Sequence, residues 1–275
     1  FRSFQNVNED ESCLVSTPRS VYFLNVTPEK AKILQEQYGV IVQSCNSISD
    51  NILKGVAHYE LPKDTVLRTA TTQGWSYLLN FSLPPSNSIV ITDDWLFKNE
   101  ETSNIVGEFN LVMLLDAILP NNLSTEYHIL IITDDQARPQ QRCEKLVGDL
   151  KAKILALRTY PIIFEVVFAE TIHKRKAILN YISITCDKGF AMFRLSDLYT
   201  VRDDNDFRYE NAFNRSEKNE GHTVFYSDSL LLKRLQQKCN SVKEYIKNRH
   251  QDPNQRILGD CKGDKTIINR LINDV

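Results

Sequence analysis

Residues 89–168 alternate between short aliphatic runs and segments of helical period, and this alternation constrains the fold more than any other feature of the chain. Ile89-Val90-Ile91-Thr92-Asp93-Asp94-Trp95 and Leu130-Ile131-Ile132-Thr133-Asp134-Asp135-Gln136 are look-alike segments, each an aliphatic run ending in Thr-Asp-Asp. Residues 162–168 form a third run, rich in β-branched and aromatic side chains. Short apolar runs of this kind read as buried strands. Between the first two, apolar residues at 105, 106, 109, 112, 113 and 115 approach helical spacing. Between the second and third, Leu146, Leu150, Ile154 and Leu157 share one helical face. The alternation predicts an α/β fold with a largely parallel central sheet flanked by helices, the three runs being neighbouring parallel strands.

The flanking stretches extend this plan. Residues 1–18 read as an irregular arm, and residues 21–26 as a strand. Thr27 offers an N-cap with Pro28 at the first helical position, and Gly39 closes a helix over 28–38. Strands follow at 40–43 and within 50–60, and Pro62-Lys63-Asp64 marks a turn. Together these define a small N-terminal α/β module over residues 1–70, with a soft boundary between Thr65 and Gln73. The main domain is expected over 74–250. Residues 199–221 are charged and read as a loop or lid; residues 222–226 read as one more strand. Asp228 is placed to cap a helix over 229–248 with Leu231, Leu232, Leu235, Cys239, Val242 and Ile246 on one stripe. The tail, 251–275, holds Ile257, Leu258, Ile267, Ile268, Leu271 and Ile272, enough apolar surface to pack back on the body.

Composition narrows the function classes. The net charge is −2 over 275 residues, so no global basic field draws in nucleic acid, and such binding must rest on a local patch. None of the six cysteines forms a Cys-x-x-Cys pair, which argues against zinc and against a disulfide framework. No apolar run approaches the roughly 20 residues that span a bilayer. Residues 1–11 are polar and acidic rather than basic-then-apolar, so the cytoplasm is the expected compartment. There is no Gly-x-Ser-x-Gly elbow and no glycine-rich phosphate loop, and no cofactor is assigned.

Chemistry concentrates in residues 161–194. Two short apolar runs, 177–185 and 190–195, follow the strand at 162–168, the last after a turn at Asp187-Lys188-Gly189. Ahead of them, His173-Lys174-Arg175-Lys176 packs three fixed cations and one titratable ring into four residues. His173, Arg175 and Asn180 are spaced His-x-Arg-x-x-x-x-Asn. This resembles the His-x-Lys-x-x-x-x-Asp signature of the phospholipase D superfamily, with Lys replaced by Arg and Asp by Asn. It is most similar to non-catalytic members such as the C-terminal domain of MIT-domain proteins. In active members a His attacks phosphorus, the Lys grips phosphate oxygens, and two motifs meet within one chain or across a homodimer. Here the resemblance implies a binding or interaction module for a phosphate-bearing ligand, nucleic acid before lipid, held by His173, Arg175, Lys176 and Asn180. Arg175 suits the work because its planar fork matches phosphate oxygens. His173, Arg175 and Asn180 are expected on one face, Lys174 and Lys176 on the other.

Competing readings stand beside it. The basic corner is also what a solvated turn looks like. A phosphodiesterase or nuclease would use His173 across a homodimer, or Mg²⁺ held by Asp93, Asp94, Asp134 and Asp135 at the strand ends. Asp after a strand is equally the usual cap of the next helix. A third reading is a scaffold whose sheet edge or C-terminal helix docks a partner protein. His58, His128, His222 and His250 lack a partner at catalytic spacing and read as structural.

Overall fold

Ile89, Ile129 and Phe164 sit side by side on three adjacent parallel strands, as the alternation predicts. The computed structural model describes residues 11–16, 19–47, 56–80, 83–98, 100–101, 104–134, 139–169, 175–211, 224–248, 255–261 and 266–273. In chain order the elements are β1 (Val21–Leu24), α1 (Pro28–Tyr38), β2 (Ile41–Ser44), β3 (Val56–Leu61), α2 (Trp75–Leu78), β4 (Ser88–Thr92), β5 (Glu100–Glu101), β6 (Asn104–Ile105) and α3 (Val106–Ile118). There follow β7 (Tyr127–Thr133), α4 (Gln140–Leu155), β8 (Ile162–Phe168), β9 (Lys176–Leu179), β10 (Ile182–Cys186), β11 (Asn205–Asn211), α5 (Val224–Asn248) and β12 (Arg256–Gly259). A short 3-10 turn, Glu11–Val15, precedes them.

The α/β class holds, but the large sheet is mostly antiparallel. Its order is β12-β8-β7-β4-β9-β10-β11-β3. Only β4–β7 and β7–β8 pair in parallel; every other neighbour in this sheet is antiparallel. The reason is connection length. Helices α3 and α4 supply the long crossovers that parallel neighbours need. After β8 no crossover helix intervenes, and β9 turns into β10 through Asn180 and Tyr181 alone, which only an antiparallel pair allows.

Parity sorts the core. Ile89, Ile91, Ile129, Ile131, Phe164 and Val166 face α3 and α4. Val90, Leu130, Ile132 and Val167 face Leu235, Cys239, Val242 and Ile246 of α5 and Ile267 and Leu271 of the tail. Strands covered on both faces read as unbroken apolar runs, which is why these three stood out. Residues of 14–42 keep a core of their own around Tyr22, Leu34 and Val42, built on the parallel pair β1–β2. Thr27 Oγ1 accepts the Lys30 N–H, and Gly39 closes α1 in the left-handed region, both as expected. β3, read as part of that N-terminal stretch, pairs with β11 and forms one edge of the large sheet. β12, from the tail, forms the other.

Two local expectations give way. Residues 224–226 belong to α5 rather than to a strand, and Asp228 lies inside that helix rather than capping it; residues 222 and 223 lie outside the described residues. The β-prone Val224-Phe225-Tyr226 is instead the first turn of a 25-residue helix, where context overrides local propensity. Residues 190–195 make no strand beyond a bridge between Phe193 and Val201. Phe190 and Phe193 instead pack their rings on buried Trp75. Among the described residues no helix is long and apolar enough to cross a membrane.

The tail is pinned by polar groups as well as apolar ones. Ser88 Oγ donates to Asn269 Oδ1 at 3.0 Å, and Asn269 Nδ2 donates to the Ile89 carbonyl at 3.1 Å. The Ile268 N–H donates to Glu165 Oε1 at 2.8 Å, and the Ile268 carbonyl lies 3.0 Å from His128 Nδ1. Burial pushes Glu165 from its ordinary 4.5 up to about 7. Burial, reinforced by Arg270, pushes His128 from 6.5 down to about 4. A raised acid holds its proton more tightly folded than unfolded, so the Glu165 contribution is complete below about 4.5 and lost as pH rises through about 7. A lowered histidine works oppositely: its contribution is complete above about 6.5 and lost as pH falls through about 4. Each is on the order of 3 kcal/mol at most. The two oppose each other between pH 4.5 and 6.5, so their combined contribution to wild-type stability is expected to be nearly flat there. Glu165→Gln leaves the histidine slope exposed. Its urea midpoint is expected to climb across that window, and a flat midpoint contradicts the assignment.

Candidate functional site

The candidate site lies at the carboxyl end of the parallel strands, where open α/β sheets place their ligands. β4 runs out at Thr92 and delivers Asp93; β7 runs out at Thr133 and delivers Asp134. β9 runs antiparallel to β4 with Lys176 opposite Thr92, so Arg175 arrives beside Asp93.

Asp93 organises this end of the sheet. It is 1 % exposed. Its Oδ1 accepts the Trp95 N–H at 3.0 Å, and its Oδ2 accepts the Phe190 N–H at 2.7 Å. Arg175 Nε lies 3.8 Å from Oδ1. Burial raises the Asp93 carboxyl, while the two backbone N–H groups and Arg175 pull it back down. Burial, with Asp93 beside it, also pushes the Cys186 thiol well up. The carboxylate thus ties the turn after β4 to the turn after β10. Gly189 makes the closure feasible: its φ is +93°, and a Cβ there would stand 2.6 Å from Asp93 Oδ2 and 3.1 Å from Arg175 Cδ.

A second chain of contacts crosses from β4 to β7. Lys98 Nζ lies 4.8 Å from the centre of the Trp95 ring and bonds Asp134 Oδ2 at 2.7 Å. Trp95 is therefore fixed through its backbone by Asp93 and across its ring by Lys98.

Beside these groups opens a cleft of about 470 Å³ lined by Lys63, Trp95, Arg175, Lys188, Asp203 and Asp204. The acids are partly occupied. Asp203 pairs with Arg202 at 3.1 Å, and Asp204 Oδ1 accepts the Lys63 N–H at 2.7 Å. Arg175 donates to the Asp187 carbonyl, which ties its guanidinium to the turn after β10. The cations thus come from three separate turns: after β3, before β9 and after β10.

The residues singled out in the sequence are distributed unevenly over this arrangement. Arg175 lines the cleft, and Lys176 begins β9 half-buried, opposite Thr92 and Thr185. His173 and Asp135 lie outside the described residues. Asn180 is not at the cleft. It sits in the turn at the far end of β9, fully buried, with Oδ1 accepting the N–H groups of Asn87 and Ser88. The common face expected for Arg175 and Asn180 fails twice: a separation of five residues is odd, and the strand ends at Leu179. Asp93 is committed to backbone N–H groups and Asp134 to Lys98; Asp94 is buried. Among the described residues no group of three or more His, Cys, Asp or Glu is placed to hold a metal ion. Sequence reading missed Lys63, Trp95, Lys188, Asp203 and Asp204. The usable signal was that Lys63 and Lys188 occupy recognised turns, and that an aromatic directly follows the first Thr-Asp-Asp strand end.

No family model matches the chain, and neither does any curated protein. Among solved structures it is similar to TrmBL2, an archaeal chromatin protein whose structure is described as showing a novel mode of DNA binding. The match covers 71 % of this chain and 55 % of that one, at 11 % identity and a TM-score of 0.29. This chain therefore spans little more than half of that protein's length, and a likeness this slight carries no statement about ligand.

Proposed function

We propose that the chain is a phospholipase-D-like binding module that holds a phosphate-bearing ligand in this cleft without turning it over, nucleic acid before lipid. One observation carries the reading: Lys63, Arg175 and Lys188, from three distant turns, line a single cleft at the carboxyl end of β4. On a chain of net charge −2, these three cations outnumber the two acids, Asp203 and Asp204, of the same lining, and that local positive excess supports an attraction for phosphate even with Lys188 3.9 Å from Asp187. Nucleic acid suits the cleft better than a lipid surface. A membrane would press its anionic plane against Asp203 and Asp204 as well as the cations, whereas a strand can thread past them. Binding rather than turnover is favoured because Asn180 is spent on Asn87 and Ser88, remote from Arg175. The homodimer that the resemblance implies belongs to the same proposal, and sedimentation at two protein concentrations reads it.

The test titrates single-stranded and duplex oligonucleotides and anionic vesicles against wild type, Lys188→Ala and Arg175→Ala at two salt concentrations. Each substitution is expected to weaken oligonucleotide binding by roughly tenfold at low salt, the size of one charge-assisted contact. Equal binding by all three proteins removes the reading and leaves the scaffold. Cleavage of a phosphodiester that is lost in His173→Ala puts the phosphodiesterase in its place.

A further inference from the structure

We infer that Trp95 is a stacking platform for an unpaired nucleobase, so that the cleft selects single-stranded nucleic acid over duplex; this rests on the phosphate-binding reading above. Trp95 is 50 % exposed, so part of its surface is open to a ligand. Its placement is built rather than incidental. Asp93 Oδ1 accepts its backbone N–H at 3.0 Å, Lys98 Nζ stands 4.8 Å from the ring centre, and Asp134 holds Lys98 at 2.7 Å. A ring fixed in advance loses little freedom when a second flat group stacks on it. Trp95 lines the same cleft as Lys63, Arg175 and Lys188. Phosphate alone has no use for an indole. A nucleotide uses both halves of the cleft: its phosphate on the cations and its base on the ring. Aromatic platforms beside cationic grooves are how single strands are held, and they tolerate any base because every base has a flat face. In a duplex the bases are stacked inward and cannot reach the ring.

The experiment measures binding of a mixed-sequence single strand, the matching duplex and inorganic pyrophosphate to wild type, Trp95→Ala, Trp95→Phe and the double variant Lys63→Ala/Lys188→Ala. Trp95→Ala is expected to lose roughly tenfold on the single strand, within the range for one stacked base, and to bind duplex and pyrophosphate as wild type does. Trp95→Phe restores most of the loss. The single strand should also quench the wild-type indole emission, and this quench should vanish in Trp95→Phe, where buried Trp75 alone remains. The double variant should weaken on all three ligands. A Trp95→Ala protein that binds the single strand as tightly as wild type, or that weakens equally on all three ligands, overturns the inference and leaves the phosphate cleft standing. A double variant that binds all three as wild type does overturns the phosphate cleft itself.

Discussion

Asn180→Ala is expected to cost about 3–5 kcal/mol of folding stability, at the upper end for a single substitution. The side chain has no exposed surface. Its Oδ1 takes the Asn87 N–H at 3.0 Å and the Ser88 N–H at 3.2 Å, and its Nδ2 donates to Asn87 Oδ1 at 3.0 Å. Asn87 Nδ2 in turn donates to the Tyr38 carbonyl at 2.8 Å. One amide therefore joins the β9–β10 turn, the entry to β4 and the end of α1. Alanine leaves two backbone N–H groups and one amide oxygen buried without these partners, and each costs about 1–3 kcal/mol. Asn180→Asp keeps the acceptor but sets a carboxylate against Asn87 Oδ1, and is expected to be no milder. Urea denaturation reads both. Midpoints at the wild-type value contradict the structural role. Binding by the folded fraction should be unchanged, since the cleft lies at the other end of β9.

Gly107→Ala is expected to cost about 3 kcal/mol or more, although alanine favours a helix by about 1 kcal/mol over glycine. Gly107 is the second residue of α3. A Cβ there would stand 1.6 Å from the Leu96 carbonyl oxygen and 2.6 Å from its carbon. Both are backbone atoms, so no rotamer relieves the overlap, and α3 must part from the turn that carries Trp95. Loss of oligonucleotide affinity should accompany the loss of stability. Gly148→Ala is the control within the same fold. Gly148 is exposed on α4 with nothing within 4 Å of an added Cβ, so the substitution should gain about 1 kcal/mol. Two helical glycines giving the same sign would contradict the packing of α3 on the 93–98 turn.

What could be read from the sequence was what local chemistry and two-sided burial determine. Ile89–Thr92, Leu130–Thr133 and Ile162–Phe168 announced themselves because both faces are covered, and α1 because Thr27 and Gly39 carry its ends. The two sheet edges were hidden because their pairings are remote in sequence: Leu61 finds Asn205, and Phe168 finds Arg256. Nothing within Val56–Leu61 or Arg256–Gly259 encodes which strand it will join. The site divides in the same way. Arg175 stood out as part of a dense cationic run, whereas Lys63 and Lys188 are lone lysines in turns, and only the fold brings them to one cleft. Asn180 misled because motif spacing says nothing of where a strand turns. In the structure the turn falls on that residue and spends its amide on Asn87 and Ser88.

The salt dependence of single-strand binding tests the phosphate cleft most directly. Each phosphate contact on a single strand contributes roughly 0.7 to the slope of log K against log salt, so three cations predict a wild-type slope near about −2. Lys63→Ala/Lys188→Ala removes two of them and should make the slope shallower by about 1.4, with weaker binding at low salt. A double variant that keeps the wild-type slope and affinity would show that phosphate is not held in this cleft.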